Sequence, residues 1–366
     1  MPGRGGAPMT AAGHARTGPA PIEPTRHAGL PAGVDAWLGR AVPELQGNLR
    51  HEVIAGGRSN LTYRTTDAAG HVVVLRRPPL GNHPATAHDV LREARILRGL
   101  HGHLPVPRVL AVEETGEVAG APLVVLEHLD GVILRSPADV ERLTTEADRA
   151  LIGPTLVDAL VALHRLAPEV IGLGGLARRR DYLPRQLGRW HENWRRSRIR
   201  DLPDLQTAHE HLVAAAPGQS RSGIVHGDFR LDNCMLDSRW RVQGVLDWEL
   251  TTVGDPLADV GQLLVYWAQA GDTARALHDP ATVRPGFSTR DELLSRYCLA
   301  TGTDPGRIDY FVAYNWWKTA CILEGVYTRV TQGAMSGGDR TAASFAEQAA
   351  AVAGRAAALA AALPRH

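Results

Sequence analysis

The run Ile224-Val225-His226-Gly227-Asp228-Phe229-Arg230-Leu231-Asp232-Asn233 joins an apolar lead-in to the spacing H-G-D-x-x-x-x-N. Those residue types in that order suit phosphoryl transfer. A carboxylate can orient an acceptor hydroxyl and take its proton, while a nearby amide oxygen ligates Mg2+ without adding charge that would repel phosphate. The motif is specific but needs a metal partner. Fourteen residues beyond Asn233, Val245-Leu246-Asp247-Trp248-Glu249 ends a β-like run with an aspartate. Asp228, Asn233 and Asp247 are then expected around one cleft. The competing reading makes Asp228 and Asp247 ordinary turn residues beside short strands.

Upstream, short β-rich runs dominate: His51–Ala55, Leu61–Thr66, Val72–Arg76, Val109–Glu113 and Pro122–Leu126. Gly-containing turns between the early ones predict a small antiparallel sheet. One helical stretch, Ala85–Leu100, interrupts it, with Val90, Leu91, Ala94 and Leu97 at helical spacing. After Glu127-His128-Leu129-Asp130-Gly131 the pattern turns helical, opening on Ser136-Pro137-Ala138-Asp139 as a capping box with proline at the first helical position. Helices are expected over Leu156–Leu166, Asp181–Ala215 and Ile308–Gln332, with two short β-like runs, Asn233–Leu236 and Val242–Leu246, between them. The division expected is a disordered tail over 1–27, a sheet-and-helix lobe over 28–127, and a helical lobe over 128–366 that carries the catalytic loop and the acceptor site. The fold class is α+β. The Ala-rich stretch Ala342–Leu363 reads as a surface helix docked on the body.

With the H-G-D-x-x-x-x-N run and Asp247 in this order, residues 30 to 335 resemble the aminoglycoside-phosphotransferase family, within the bilobal protein-kinase-like fold. The resemblance implies that Asp228 is the catalytic base, that Asn233 and Asp247 hold magnesium, and that His226 supports the catalytic loop. It implies ATP as the phosphoryl donor and a small-molecule hydroxyl as the acceptor. Gly56, Gly57, Ser59 and Asn60 lie between two predicted strands, where small residues let backbone N–H groups approach phosphate oxygens. Taken alone they make a plain hairpin turn; at the start of a kinase-like small lobe they make a phosphate loop. Glu127 to Leu129 resembles the hinge that reads the adenine edge with backbone groups. The family pairs a strand lysine with a helix glutamate, and here Val73-Val74-Leu75-Arg76-Arg77 puts arginine in that place. Arg76 with Glu93 is the expected pair, and Arg77, on the opposite face, is the alternative. A guanidinium keeps the charge and adds bidentate reach.

The totals fit this reading. At 366 residues with a hydrophobic share of 44%, the chain can bury a sizeable core, and 40 basic against 39 acidic residues give a net charge of +1. No global field points to nucleic acid or a membrane. Three scattered cysteines, Cys234, Cys298 and Cys321, suggest neither zinc nor a disulfide framework. A reducing, cytoplasmic setting is the expectation. The first 27 residues have no apolar segment of the kind that targets secretion.

The acceptor is less legible. Arginines from Arg178 to Arg200, with Trp190 and Trp194 among them, make one concentrated basic stretch, which is either a solvated helix face or an acceptor surface. Asp255 before Pro256 reads as a helix cap, and Asp259 reads either as a buttress of the catalytic loop or as an exposed helix carboxylate. Tyr310–Tyr327 is either core or acceptor wall. Within the family, Gly56–Tyr63, Val74–Pro79 and Glu324-Gly325-Val326-Tyr327 look most like the kinase-like domains found alongside acyl-CoA dehydrogenases. That likeness implies a hydroxyacyl-CoA acceptor, with Arg195, Arg196, Trp194 and Glu324 as candidate contacts. Aminoglycosides, choline-like alcohols and other metabolites stay open as acceptors, as do a nucleotide-binding pseudokinase and a noncatalytic adaptor as whole-protein readings. Protein partners cannot be read from the motifs.

Overall fold

The computed structural model describes residues 29–54, 60–78, 89–178, 181–219, 221–333 and 339–364. The tail expected over 1–27 and the glycine turn with Gly56, Gly57 and Ser59 lie outside the described residues.

The N-terminal part is a five-stranded antiparallel sheet with a helix on each face. α1 (Gly33–Ala41) precedes β1 (Arg50–Val53), β2 (Leu61–Thr66) and β3 (Val72–Arg77); α2 (Val90–Leu100) then leads to β4 (Val109–Glu113) and β5 (Leu123–Glu127). Strand order is β1-β2-β3-β5-β4, so the helix crossover places β5 beside β3 and sends β4 to the edge. Side chains alternate across the pleat, and the alternation decides what each helix covers. Val73, Leu75 and Val125 close over Val34 and Leu38 of α1 in a small separate core. Val124 and Leu126 face the other way, toward Val90, Ala94 and Leu97 of α2. Periodicity had named no helix ahead of the first strand; α1 is short, and only Val34 and Leu38 of it are buried.

The rest of the chain is mainly helical. α3 (Pro137–Leu143) and α4 (Glu146–His164) open on capping boxes at Ser136 with Asp139 and Thr145 with Asp148. α5 (Tyr182–Ser197) and α6 (Pro203–Ala214) replace the single stretch expected over Asp181–Ala215. Pro203 has no N–H to continue a helix and starts α6 at its first turn. Two small antiparallel ribbons follow, built from β6 (Gly223–Val225), β7 (Cys234–Leu236), β8 (Val242–Val245) and β9 (Thr252–Gly254), with β6 paired to β9 and β7 to β8. α7 (Leu257–Tyr266), α8 (Arg290–Thr301), α9 (Ile308–Thr331) and α10 (Asp339–Ala361) complete the body. α9 is buried on nearly every side, including Phe311, Tyr314, Trp317 and Ala320, because α5, α6, α7 and α10 all pack on it. α10 lays Ala349, Val352, Ala353, Ala356 and Ala360 into the body. Small side chains at that spacing let two helices approach closely. Among the described residues no helix is long and apolar enough to cross a membrane.

Candidate active site

β6 runs antiparallel to β9 and releases the chain at Val225, next to the first turn of α7. There Asp259 is fully buried and accepts hydrogen bonds from the His226 N–H (2.6 Å) and the Gly227 N–H (2.8 Å), with His164 Nε2 at 3.3 Å. Burial pushes its carboxyl pKa up, but the hydrogen bonds from His164 and the loop amides hold it below the usual carboxylate range. Asp259 is therefore a buttress and not an exposed helix charge: two loop amides that would be buried orphans have their acceptor here. Gly227 has φ of +85°, and a Cβ on it would stand 2.8 Å from the Leu250 carbonyl oxygen. His226 ties this loop to the next one. Its Nε2 lies 2.9 Å from the Leu246 carbonyl oxygen and its Nδ1 lies 3.1 Å from the Asp228 N–H. A carbonyl can only accept and an amide N–H can only donate, so the ring carries its proton on Nε2 and is neutral.

Asp259→Ala should cost about 3–5 kcal/mol, because it strips two buried amides and His164 of their partner. The midpoint of urea unfolding measures it. Since the folded pKa is lowered, the stabilisation is complete above the ordinary carboxylate range and fades as pH falls through the lowered value. The variant should therefore lose less stability on acidification than the parent.

Asp228 follows directly and its carboxylate is held at both oxygens. Oδ1 accepts from Gln262 Nε2 (2.8 Å); Oδ2 accepts from Arg230 Nε (3.1 Å) and Asn233 Nδ2 (2.9 Å). Arg230 also reaches Asp232 (2.5 Å) and lies 5.0 Å from the Tyr266 ring centroid. Burial lowers the guanidinium pKa, but Asp228 and Asp232 more than offset this and leave it raised. Asn233 spends its amide nitrogen on the Asp228 carbonyl and carboxylate, which leaves its side-chain oxygen for a cation. The Leu246 N–H donates to the Asn233 carbonyl (2.9 Å), and the β7–β8 ribbon carries Asp247 to the same place. Asp247 adopts a left-handed conformation, φ 65° and ψ 65°, which costs a non-glycine residue energy and marks a position fixed by its surroundings. Its Oδ1 is buried without a hydrogen-bond donor, 3.7 Å from Arg76 Nη2. A buried carboxylate oxygen with no donor, beside an amide oxygen, fits Mg2+, which takes one or two protein oxygens and completes its shell with water and phosphate. Among the described residues no cluster of three or more His, Cys, Asp or Glu offers a denser metal cage.

From the sheet, Arg76 meets Glu93 of α2 at 2.7 Å, and both side chains are largely buried. Burial raises the Glu93 pKa; it lowers that of Arg76, but Glu93 and Asp247 turn the net shift of Arg76 upward, so the guanidinium stays charged. Arg77 takes the opposite face, where Nη2 donates to the Tyr63 hydroxyl (3.2 Å) and Nη1 to the Ala119 carbonyl (3.4 Å). Asn60 is 3% exposed and its Oδ1 has no donor. Glu127 ends β5 with its N–H on the Arg108 carbonyl (2.9 Å), and Leu129 packs over Gly244 of β8. Arg92 of α2 crosses to the other side of the cleft and donates to the carbonyls of Glu249 (3.0 Å) and Thr251.

The candidate acceptor contacts are not presented as the sequence suggested. Trp194 is 2% exposed and turned into the core, because the helical repeat aligns it with Leu183 and Leu187 on the buried stripe of α5. Arg195 and Arg196 fall on the outer face of the last turn and reach Glu192 of the same helix at 3.8 and 2.7 Å. Glu324 is fully buried and pairs with Arg200, which also donates to the Ala346 carbonyl (2.8 Å) and so ties the α5–α6 link to α9 and α10. Trp194 has Arg198 at 5.6 Å from its ring centroid, and a second cation–aromatic pairing one turn earlier adjoins the catalytic loop. Arg189 and Lys318 lie 5.5 and 5.7 Å from the Trp190 ring centroid, and Lys318 donates to the Gly227 carbonyl of the catalytic loop. Gln262, Lys318 and Arg230 were not foreseen at the site, and of these only Arg230, inside the motif, carried a local signal; Arg189 belongs to the basic stretch read as a possible acceptor surface.

The family profile described as the phosphotransferase enzyme family matches residues 50–309. Acyl-CoA dehydrogenase family member 10 of Mus musculus is 33% identical over 287 residues, which are 76% of this chain and 26% of that protein. The chain thus spans about a quarter of that relative's length. A Ralstonia eutropha protein provisionally assigned as an aminoglycoside phosphotransferase superposes with a TM-score of 0.76 at 26% identity, over 91% of this chain and 98% of that one. A thermostable mutant of aminoglycoside phosphotransferase APH(4)-Ia, in a ternary complex with AMP-PNP and hygromycin B, gives 0.58 at 16% identity over 90% and 98%, a likeness of fold alone. Residues 50–309 include the sheet from β1 onward, the Arg76–Glu93 pair, Asp228 and Asp247, and the chain belongs to the phosphotransferase enzyme family.

Proposed function

We propose that the chain is an ATP- and Mg2+-dependent kinase for an anionic small-molecule alcohol, with a hydroxyacyl-CoA as the acceptor. The observation that carries the kinase reading is the convergence of Asp228, Asn233, Asp247 and the Arg76–Glu93 pair through direct contacts between two loops and a strand. In this reading the acceptor oxygen attacks the γ-phosphorus of ATP, the bond to the β,γ-bridging oxygen breaks, ADP leaves, and the hydroxyl proton passes to Asp228. Asn233 and Asp247 would hold Mg2+, which neutralises charge on the phosphates when bound. Arg76 would bind phosphate, with Glu93 fixing its fork. Gly56, Gly57, Ser59 and Asn60 would cover the phosphates, and the backbone from Glu127 to Leu129 would read adenine. His226 keeps the two loops in register.

The acceptor reading rests on charge. Arg189 is exposed and, among the described residues, has no carboxylate within ion-pair reach, Arg92 is hydrogen-bonded to uncharged oxygens, and the buried Lys318 adds positive charge from behind the Trp190 ring without reaching an acceptor itself. A wall of cations with the Trp190 face among them suits an acceptor bearing phosphates and an adenine ring and repels a polycationic aminoglycoside. The name of the mouse relative points to the same acyl-CoA chemistry. Competition tests it: free CoA should bind, and Arg189→Gln should weaken CoA by about tenfold, the value of one lost charge-assisted contact, while ATP affinity holds. Arg195→Gln with Arg196→Gln should change little. Phosphorylation of an aminoglycoside by a chain with no CoA affinity would overturn the acceptor assignment and leave the kinase reading standing.

A further inference from the structure

Lys318 is the only lysine among 40 basic residues, and it is 4% exposed, in the middle of α9. Burying an ammonium is costly, so its surroundings should explain it. Burial lowers its pKa, against the pull of Asp228 and Asp259. Its Nζ donates to the Gly227 carbonyl (2.5 Å) and to Gln262 Oε1 (3.1 Å). Gln262, buried on α7, donates in turn from Nε2 to Asp228 Oδ1 (2.8 Å).

We propose that Lys318 and Gln262 are positioning residues that set the orientation of the Asp228 carboxylate. The proposal rests on the kinase reading above and extends it. A glutamine amide can present either end to a neighbour, and the two ends have opposite roles. An ammonium donates three hydrogen bonds and accepts none, so only the amide oxygen can face Lys318. The nitrogen must then face Asp228. A flipped amide would set its oxygen against a carboxylate oxygen and its NH2 against an ammonium, losing both bonds and gaining two repulsions. The lysine therefore acts at one remove: it fixes the amide, and the amide supplies the donor that holds Oδ1. With Oδ2 taken by Arg230 and Asn233, the carboxylate plane is fixed, and the remaining lone pair of Oδ1 is the one that meets an incoming hydroxyl. Arginine cannot replace Lys318, because a planar fork with five donors would leave several of them unpaired between two acceptor oxygens.

The test uses the full chain, Mg2+-dependent release of phosphate from ATP with water as acceptor, and AMP-PNP binding. Gln262→Glu keeps the shape and still accepts from Lys318, but offers Asp228 no donor. Lys318→Met keeps the stem length and removes the charge. Each should lower kcat by at least about tenfold while the AMP-PNP Kd stays within about twofold, the split expected when a group acts on the reacting atoms and not on nucleotide binding. The double variant Lys318→Met with Gln262→Leu should be no slower than Gln262→Leu alone, since the relay is already cut. A Gln262→Glu variant at parental kcat, or losses that multiply in the double variant, would overturn the relay. A parent chain that neither binds AMP-PNP nor releases phosphate would overturn the kinase reading itself, a different and recognisable outcome.

Discussion

Asp228→Asn is expected to lower ATP-dependent turnover by at least about 100-fold, the usual cost of losing a positioned base, while leaving the fold and AMP-PNP affinity in place. Asparagine keeps the size of the side chain and an oxygen for Gln262 or Arg230, so the catalytic loop, whose amides hang on Asp259, has no reason to move. What disappears is the charge that the Arg230 guanidinium and the acceptor proton both require. In a loose phosphoryl-transfer transition state much of the role of the carboxylate is orientation and not proton removal. Single-turnover kinetics on the variant separate the chemical step from binding. Unchanged turnover would remove Asp228 from its role.

Arg76→Ala should weaken ATP use more than Arg77→Ala, although both side chains are buried. Arg76 shares its environment with Glu93 and Asp247, so its loss strips charge from the face of the sheet that looks into the cleft and strands Glu93. Leaving a buried carboxylate without its partner costs about 3–5 kcal/mol, softened where Glu93, already raised by burial, takes a proton. Arg77 serves Tyr63 and the Ala119 carbonyl on the opposite face, and its loss should appear in the unfolding midpoint and spare the KM for ATP. Arg76→Lys should retain part of the activity, because charge survives while the bidentate fork does not. Equal effects of the two alanine variants on KM would mean that the sheet face was assigned to the wrong arginine.

What could be read in advance is what depends on neighbours in sequence. Strand alternation separates Arg76 from Arg77, and the capping box at Ser136 depends on residues three apart. The four fixed residues from His226 to Asn233 are legible for the same reason. Asp259 could not be settled from sequence, because its acceptor role depends on amides 33 and 32 positions away that the β6–β9 ribbon delivers. Gln262 and Lys318 gave no local signal at all; they meet only because α7 and α9 cross beneath the loop. Which residues of the basic stretch share a face depends on helical phase. Counting arginines between Arg178 and Arg200 ignores that one residue along α5 turns the side chain by about 100°. Arg195 and Arg196 therefore face solvent while Trp194 faces the core.

The isolation of Lys318 also has a practical side. No other residue in the chain carries a side-chain amine, and this one is sealed under the catalytic loop. An acylating reagent applied to the native protein can reach it only during the moments when α9 and the loop part. The rate at which that single site is labelled therefore clocks the opening of the site, in the way hydrogen exchange reports local unfolding, with no engineered reporter.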